Sequence, residues 1–156
     1  QAERIQPILE KENTGLSVAF FAVSSDGTIT VRKPNDYVSS MIELAGGNYS
    51  LNGYLPEEDS ALSTMKMQME DFYVAEKDAD ILIYNGTIEG ELTSVDELIA
   101  KNSLFADFKA VKSGQVYTTG SNFYQQTSMT CDFIEDLNKV LIGSDDTDYH
   151  FLKHIQ

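Results

Sequence analysis

The sequence has no tryptophan, one cysteine and two histidines in 156 residues, and its 11 basic residues are outnumbered by 25 acidic ones. With Cys131 alone, neither an intramolecular disulfide nor a multi-cysteine metal site can form, although this leaves the compartment open. Cys131 falls in a helical pattern with Phe133, Ile134, Leu137 and Val140, where an isolated thiol behaves as a small hydrophobe. The net charge of −14 repels phosphate backbones and argues against nucleic-acid binding. It also disfavours unaided contact with anionic lipid, while attracting cationic ligands or basic protein patches and favouring solubility. No apolar run approaches the ~20 residues of a transmembrane helix, and no signal peptide is visible. Also absent are a P-loop, a G-x-G-x-x-G and a G-x-S-x-G, so phosphate cradles and the hydrolase elbow lack support. His150 and His154 are spaced to share a helix face. Two histidines still need further ligands and a rigid platform, so a solvated tail is the better reading, with no metal site and no cofactor expected.

What is present is enough for one domain with a real core: 42% of residues are apolar. Three blocks stand in fixed order: Asp36–Gly47, ending Ile-Glu-Leu-Ala-Gly-Gly; Ala79–Asn85, Ala-Asp-Ile-Leu-Ile-Tyr-Asn; and Phe108–Tyr117. Each joins a helix to a strand through a short junction, the pattern of a mainly parallel sheet covered by helices.

Leu16–Val23 reads as a buried strand, followed by a turn at Ser24–Gly27 and a half-exposed strand over Thr28–Arg32. A helix capped by Asn35 or Asp36 runs to Ala45 with Val38, Met41, Ile42 and Ala45 on one face, and Gly46-Gly47 stops it. Asn48–Leu51 is a short strand. Asn52–Met65, with Pro56 and the acidic group Glu57, Glu58 and Asp59, reads as a surface loop. A helix over Glu70–Lys77 leads into a strand at Asp80–Tyr84. Ser94 followed by Glu97 is a capping-box spacing. A helix over Phe105–Lys112 closes at Gly114 before the last expected strand, Gln115–Thr118. Ser128–Ile142 is the clearest amphipathic helix, and the polar end from Gly143 finishes in Tyr149-His150-Phe151-Leu152, which docks or frays. Gln1–Glu12 reads as a helix already under way, with neither Met nor cap ahead of it, as if the chain were cut from something longer.

Ligands of such sheets gather beyond the carboxyl ends of the strands. Here those positions hold Ser24 and Ser25, then Tyr84, Asn85, Gly86 and Thr87, then Thr119, Gly120, Ser121, Asn122, Phe123 and Tyr124. Rings, amides and hydroxyls along one edge suit recognition by flat apolar faces and neutral hydrogen bonds. The plain alternative is that Phe123 and Tyr124 merely cover the edge. No nucleophile with an adjacent base accompanies them, so binding without turnover is the inference and no enzyme activity is expected. Acidic runs at Glu57–Asp59 and Asp145–Asp148 read as solvated charge. A phosphorylated receiver domain would need an Asp closing the central strand, which instead ends at Tyr84-Asn85.

At the same blocks, the helix ending IELAGG, MEDFYVAEKDADILIY and FADFKAVKSGQVYTTG before the long last helix, the chain resembles the carboxyl-terminal lobe of ABC-transporter substrate-binding proteins for ferric siderophores, haem and cobalamin. Any one block is weakly specific, whereas all three in order are strongly so, and they cover the chain from about Leu16 to Leu141. One departure is Ala79-Asp80, where the family often has Pro-Asp.

The resemblance implies one lobe of a two-lobe protein, a three-layer α/β sandwich. Residues 1–14 would end the interlobe helix, 15–143 form the carboxyl-terminal lobe and 144–156 a tail. Its partners would be a ferric siderophore, haem or corrinoid, the amino-terminal lobe of the same chain, and the permease, met through Glu70. The half-cleft would be lined from Ser24, Tyr37, Asn85, Gly86, Thr87, Asn122, Phe123 and Tyr124. Such proteins work on the outer side of the cytoplasmic membrane, lipid-anchored through a segment absent here, or in the periplasm. Met41 and Met65 are conceivable haem ligands, but Met41 fits the apolar helix face and Met65 a loop. The alternative function is a stand-alone α/β surface module that kept the fold without transport.

Overall fold

The computed structural model describes residues 6–8, 10, 14–24, 27–32, 37–49, 64–86, 92–119, 129–143 and 152–155. The strands are β1 (Ser17–Val23), β2 (Ile29–Arg32), β3 (Asn48–Tyr49), β4 (Thr64–Met67), β5 (Ile81–Tyr84), β6 (Val116–Thr119) and β7 (Leu152–His154). The helices are α1 (Tyr37–Leu44), α2 (Met69–Glu76), α3 (Val95–Lys101), α4 (Lys109–Ser113) and α5 (Met129–Leu141), with a 3-10 turn over Ser103–Asp107.

The sheet order is β4-β2-β1-β5-β6-β7, with β3 also on β1. The centre is parallel, β1 with β5 and β5 with β6, as the repeated helix-then-strand blocks require. β3 is likewise parallel to the start of β1, and β2 is antiparallel to its end. The margins, β2 with β4 and β6 with β7, are antiparallel.

Successive residues of a strand face opposite sides, and β1 shows what that does. Phe20 meets Phe133 of α5 edge-on, with centroids 6.2 Å apart. Phe21, on the other face, lies 5.0 Å from Phe72 of α2 and 5.6 Å from Phe105 of the 3-10 turn. Phe108 joins them, 5.8 Å from Phe72 and 5.2 Å from Phe105. Both faces of the sheet are therefore covered, giving three layers. Each ring pair contributes roughly 0.5–1.5 kcal/mol beyond its burial.

Junction residues have identifiable tasks. Gly46, at φ +103°, ends α1 in a conformation that costs other residues. Gly47 is small for a different reason: a Cβ there would lie 3.1 Å from Leu141 Cδ1 and 3.3 Å from Val18 Cγ2. Asn138 of α5 donates from Nδ2 to the Ala45 carbonyl at 3.0 Å, tying the outer helices together. The spacing of Ser94 and Glu97 does cap α3, with the Glu97 amide donating to Ser94 Oγ at 3.3 Å. Met41, Ile42 and Ala45 are buried on one face of α1, and Phe133, Ile134, Leu137 and Val140 on one face of α5. The side chains of Val38 and Cys131 lie outside those described.

Three expectations need correction. The loop expected over Asn52–Met65 gives way to β4 from Thr64, a four-residue edge strand held by β2 rather than by an alternating pattern of its own. The single helix expected over Phe105–Lys112 breaks at Phe108, whose backbone is extended. The Lys109 amide, which a continuous helix would give to Phe105, donates instead to the Lys77 carbonyl at 2.8 Å. Finally, β6 is not the last strand. Leu152–His154 dock on it antiparallel, held also by the Leu152 amide donating to buried Asp136 at 3.2 Å.

Candidate functional site

Phe21 stands opposite Tyr84 and Tyr84 opposite Thr118, so β1, β5 and β6 finish along one edge of the sheet. Parallel order sends the segments that follow them out on the same side. The Asn85 amide extends the ladder by donating to the Phe21 carbonyl at 2.6 Å. One residue on, the Gly86 amide donates to Thr119 Oγ1 at 2.9 Å. Thr118 Oγ1 accepts from the Leu92 amide at 3.3 Å and lies 3.4 Å from the Tyr84 carbonyl. The Tyr84 hydroxyl reaches across to the Val23 carbonyl at 3.4 Å. Two threonine hydroxyls and one phenol thus fix the departure of the loops after β5 and β1.

Asn85, Gly86, Thr118 and Thr119 are buried, whereas Ser24 is half-exposed with its Oγ 3.4 Å from Thr30 Oγ1. Buried polar groups that are hydrogen-bonded make a stiff floor rather than a reactive one. Among the described residues of this edge, no hydroxyl is bonded to a histidine or carboxylate that could act as its base. A cation approaches from α3, where the exposed Lys101 ammonium lies 5.8 Å over the Tyr84 ring.

Of the residues singled out from sequence, Ser24, Asn85 and Gly86 do meet at this edge. Tyr37 opens α1, but its side chain is outside the described residues, as are Thr87, Asn122, Phe123 and Tyr124. Glu70 is exposed in the first turn of α2 beside Asp71, where carboxylates favour the helix dipole. Met41 is buried in the core at 2% exposure, which removes it as a haem ligand. The sequence does not single out the hydroxyls of Thr118 and Thr119 as the edge's wiring; its one signal is two threonines closing a buried strand.

At the opposite pole, where β1 and β5 begin, Asp80 accepts from the Ser17 amide at 2.9 Å and pairs with Lys109. Burial pushes the Asp80 carboxyl up, but the Lys109 hydrogen bond and charge and the Ser17 donors outweigh it, leaving it below its ordinary value. Lys109 is correspondingly raised by its hydrogen bond to Asp80 and by that carboxylate's charge. A cleft of about 400 Å³ lies here, lined by Lys77, Asp78, Asp107, Lys109, Lys112 and Ser113. Opposed charges line a wide mouth, the character of solvated surface rather than of an apolar ligand site. His154 is on β7, not on a helix shared with His150, and its Nε2 lies 2.6 Å from the Gly114 carbonyl. Among the described residues no cluster of three or more His, Cys, Asp or Glu could hold a metal ion.

No family model and no curated protein matches the sequence. The fold, however, matches solved structures. A TroA-like periplasmic binding protein, FepB, from Veillonella parvula is 14% identical with a TM-score of 0.70, over 99% of this chain and 54% of its own. The periplasmic haem-binding protein HutB of Vibrio cholerae is 12% identical with a TM-score of 0.66, over 90% and 51%. An ABC-type Fe3+-hydroxamate transport system protein from Saccharomonospora viridis is 15% identical with a TM-score of 0.68, over 88% and 45%. The chain therefore has the fold of one lobe of ABC-transporter substrate-binding proteins, and spans about half the length of the solved structures it matches.

Proposed function

We propose that this chain is the carboxyl-terminal lobe of the solute-binding component of an ABC importer, taking up a ferric siderophore or haem without altering it. The observation that carries this reading is the convergence of β1, β5 and β6 on one neutral, hydrogen-bonded edge in a fold shared with half of each binding protein. In this reading the edge is the floor of a half-cleft. Ser24, Tyr37, Asn85, Gly86, Thr87, Asn122, Phe123 and Tyr124 line it, and a second lobe supplies the facing wall. Flat rings and neutral amides suit a bulky chelate, because they bury area with few side-chain torsions to freeze. Residues 1–14 end the helix joining the lobes, and the protein works outside the cytoplasmic membrane, lipid-anchored or periplasmic. Glu70 meets a basic side chain of the permease.

Tyrosine-fluorescence quenching by ferrioxamine, ferric catecholates, haem and cobalamin tests the reading on the two-lobe protein and on this chain alone. The two-lobe protein binds one class tightly, and the isolated lobe binds at least a hundredfold more weakly because half the contacts are lost. Equal affinity for the two would refute the shared cleft.

A further inference from the structure

The candidate edge is tied to a carboxylate on α5 that does not belong to it. Asp136 is fully buried, where an acidic side chain has to be matched by hydrogen-bond donors. One such donor is the Leu152 amide, at 3.2 Å. Leu152 opens β7 and stands opposite Thr119, the last residue of β6. Thr119 Oγ1 in turn accepts from the Gly86 amide at 2.9 Å, in the segment that leaves β5. All four residues are buried, so Asp136, Leu152, Thr119 and Gly86 form one continuous file from an outer helix to the edge.

The ladder makes Thr119 depend on this file. On its β5 side, β6 is paired from Val116 to Thr118; among the described residues Thr119 has a strand partner on the other side alone, Leu152. β7 has three residues, at the short end for a strand, and relies on what anchors it. Its two ends are held separately. Asp136 holds Leu152 beside the site. At the far end the Ile155 amide donates to the Val116 carbonyl at 3.0 Å, and His154 Nε2 lies 2.6 Å from the Gly114 carbonyl. Those contacts sit where β6 begins, at the pole away from the site.

Resting on the reading of this edge as a cleft floor, we infer that Asp136 is a positioning residue for the ligand: it holds Leu152, Leu152 fixes Thr119, and Thr119 fixes the Gly86 backbone of the floor. Asp136 needs no contact with the ligand. A floor already in place spares the ligand the cost of ordering it, so the buried file is read out as affinity.

The test combines hydrogen exchange on this chain with titrations of ferrioxamine, a ferric catecholate, haem and cobalamin into a protein that pairs this lobe with a second one. In Asp136→Ala the Gly86 amide exchanges roughly tenfold faster, and the ligand that the parent binds is held about threefold to tenfold more weakly. Asp136→Asn keeps an acceptor for the Leu152 amide and restores both. His154→Ala controls for a general loosening of β7: it frees the far end and lowers the melting temperature, while Gly86 exchange and ligand affinity stay within about twofold of the parent. Should Asp136→Ala fail to fold, Leu152→Pro removes the same hydrogen bond from the donor side, because proline lacks the amide proton and is accepted at the first position of a strand. The same two changes are expected of it. Unchanged Gly86 exchange, unchanged affinity in a variant whose Gly86 is loosened, or an equal loss of affinity in His154→Ala overturns the inference. If Gly86 is loosened as expected but the parent binds none of these ligands, the buried file stands and the reading of the edge as a cleft floor falls.

Discussion

Replacing Thr119 by valine probes the candidate site at its stiffest point. Valine keeps the shape and the branched Cβ that a strand favours, and removes only the hydroxyl that accepts from the Gly86 amide at 2.9 Å. Thr119 is fully buried and Gly86 is buried with it, so water cannot replace the lost partner. An orphaned buried donor costs about 1–3 kcal/mol. The added methyl returns up to about 0.8 kcal/mol through burial, leaving a net loss on the order of 1–2 kcal/mol. In a chain of this size that lowers the melting temperature by roughly 2–8 °C. Thr119→Ser is the control, since it loses a methyl but keeps the acceptor. Hydrogen exchange separates the variants: Gly86 loses its protection in Thr119→Val and keeps it in Thr119→Ser. If the valine variant melts with the parent and Gly86 exchanges as slowly as before, the hydroxyl does not hold the edge and the rigid-floor argument fails.

The other structural predictions are smaller. Asp80→Ala loses acceptors for the Ser17 amide and costs about 1–3 kcal/mol by urea unfolding, whereas Lys109→Ala costs clearly less because its ammonium is exposed and screened by solvent; equal costs would mean that the ion pair, not the Ser17 contacts, holds this corner. Because the Asp80 carboxyl sits below its ordinary value of 3.8, its stabilisation is complete above that value and disappears as pH falls through the lower folded one. The stability difference between the parent and Asp80→Asn should therefore shrink in acid titrations below pH 3.8, and a difference that stays constant would contradict this. Asn138→Ala removes the donor to the Ala45 carbonyl and destabilises by about 1–2 kcal/mol, with α1 amides losing protection first. Gly47→Ala crowds Leu141 and Val18 and costs about 1–3 kcal/mol; Leu141→Ala in the same chain should make it cheaper, and strict additivity would exclude the clash.

Much of this architecture was legible because local and tertiary signals agree. The apolar run over Leu16–Val23 reads as a buried strand, and it is buried from Val18 to Val23, with Leu16 and Ser17 half-buried at its start. Gly46-Gly47 marked the end of α1, although the sequence did not reveal that the second glycine yields to Leu141. What was hidden depended on distant partners. β4 exists because β2 offers it a ladder, β7 because β6 and Asp136 receive it, and the break at Phe108 because Lys77 takes the Lys109 amide. At the candidate site, the positions of Ser24, Asn85 and Gly86 at one sheet edge follow from their places after strands. The hydroxyl contacts of Thr118 and Thr119 do not, since a threonine in a strand gives no sign of which backbone amide it will accept.

The most direct measurement of the proposed half-cleft is hydrogen exchange of a protein that pairs this lobe with a second one, with and without a ferric chelate or haem. The account predicts slowed exchange in peptides covering 22–26, 84–88 and 117–124, with no change over 107–113 at the opposite pole. Protection confined to that opposite pole, or none at the strand ends while ligand is bound, would contradict it.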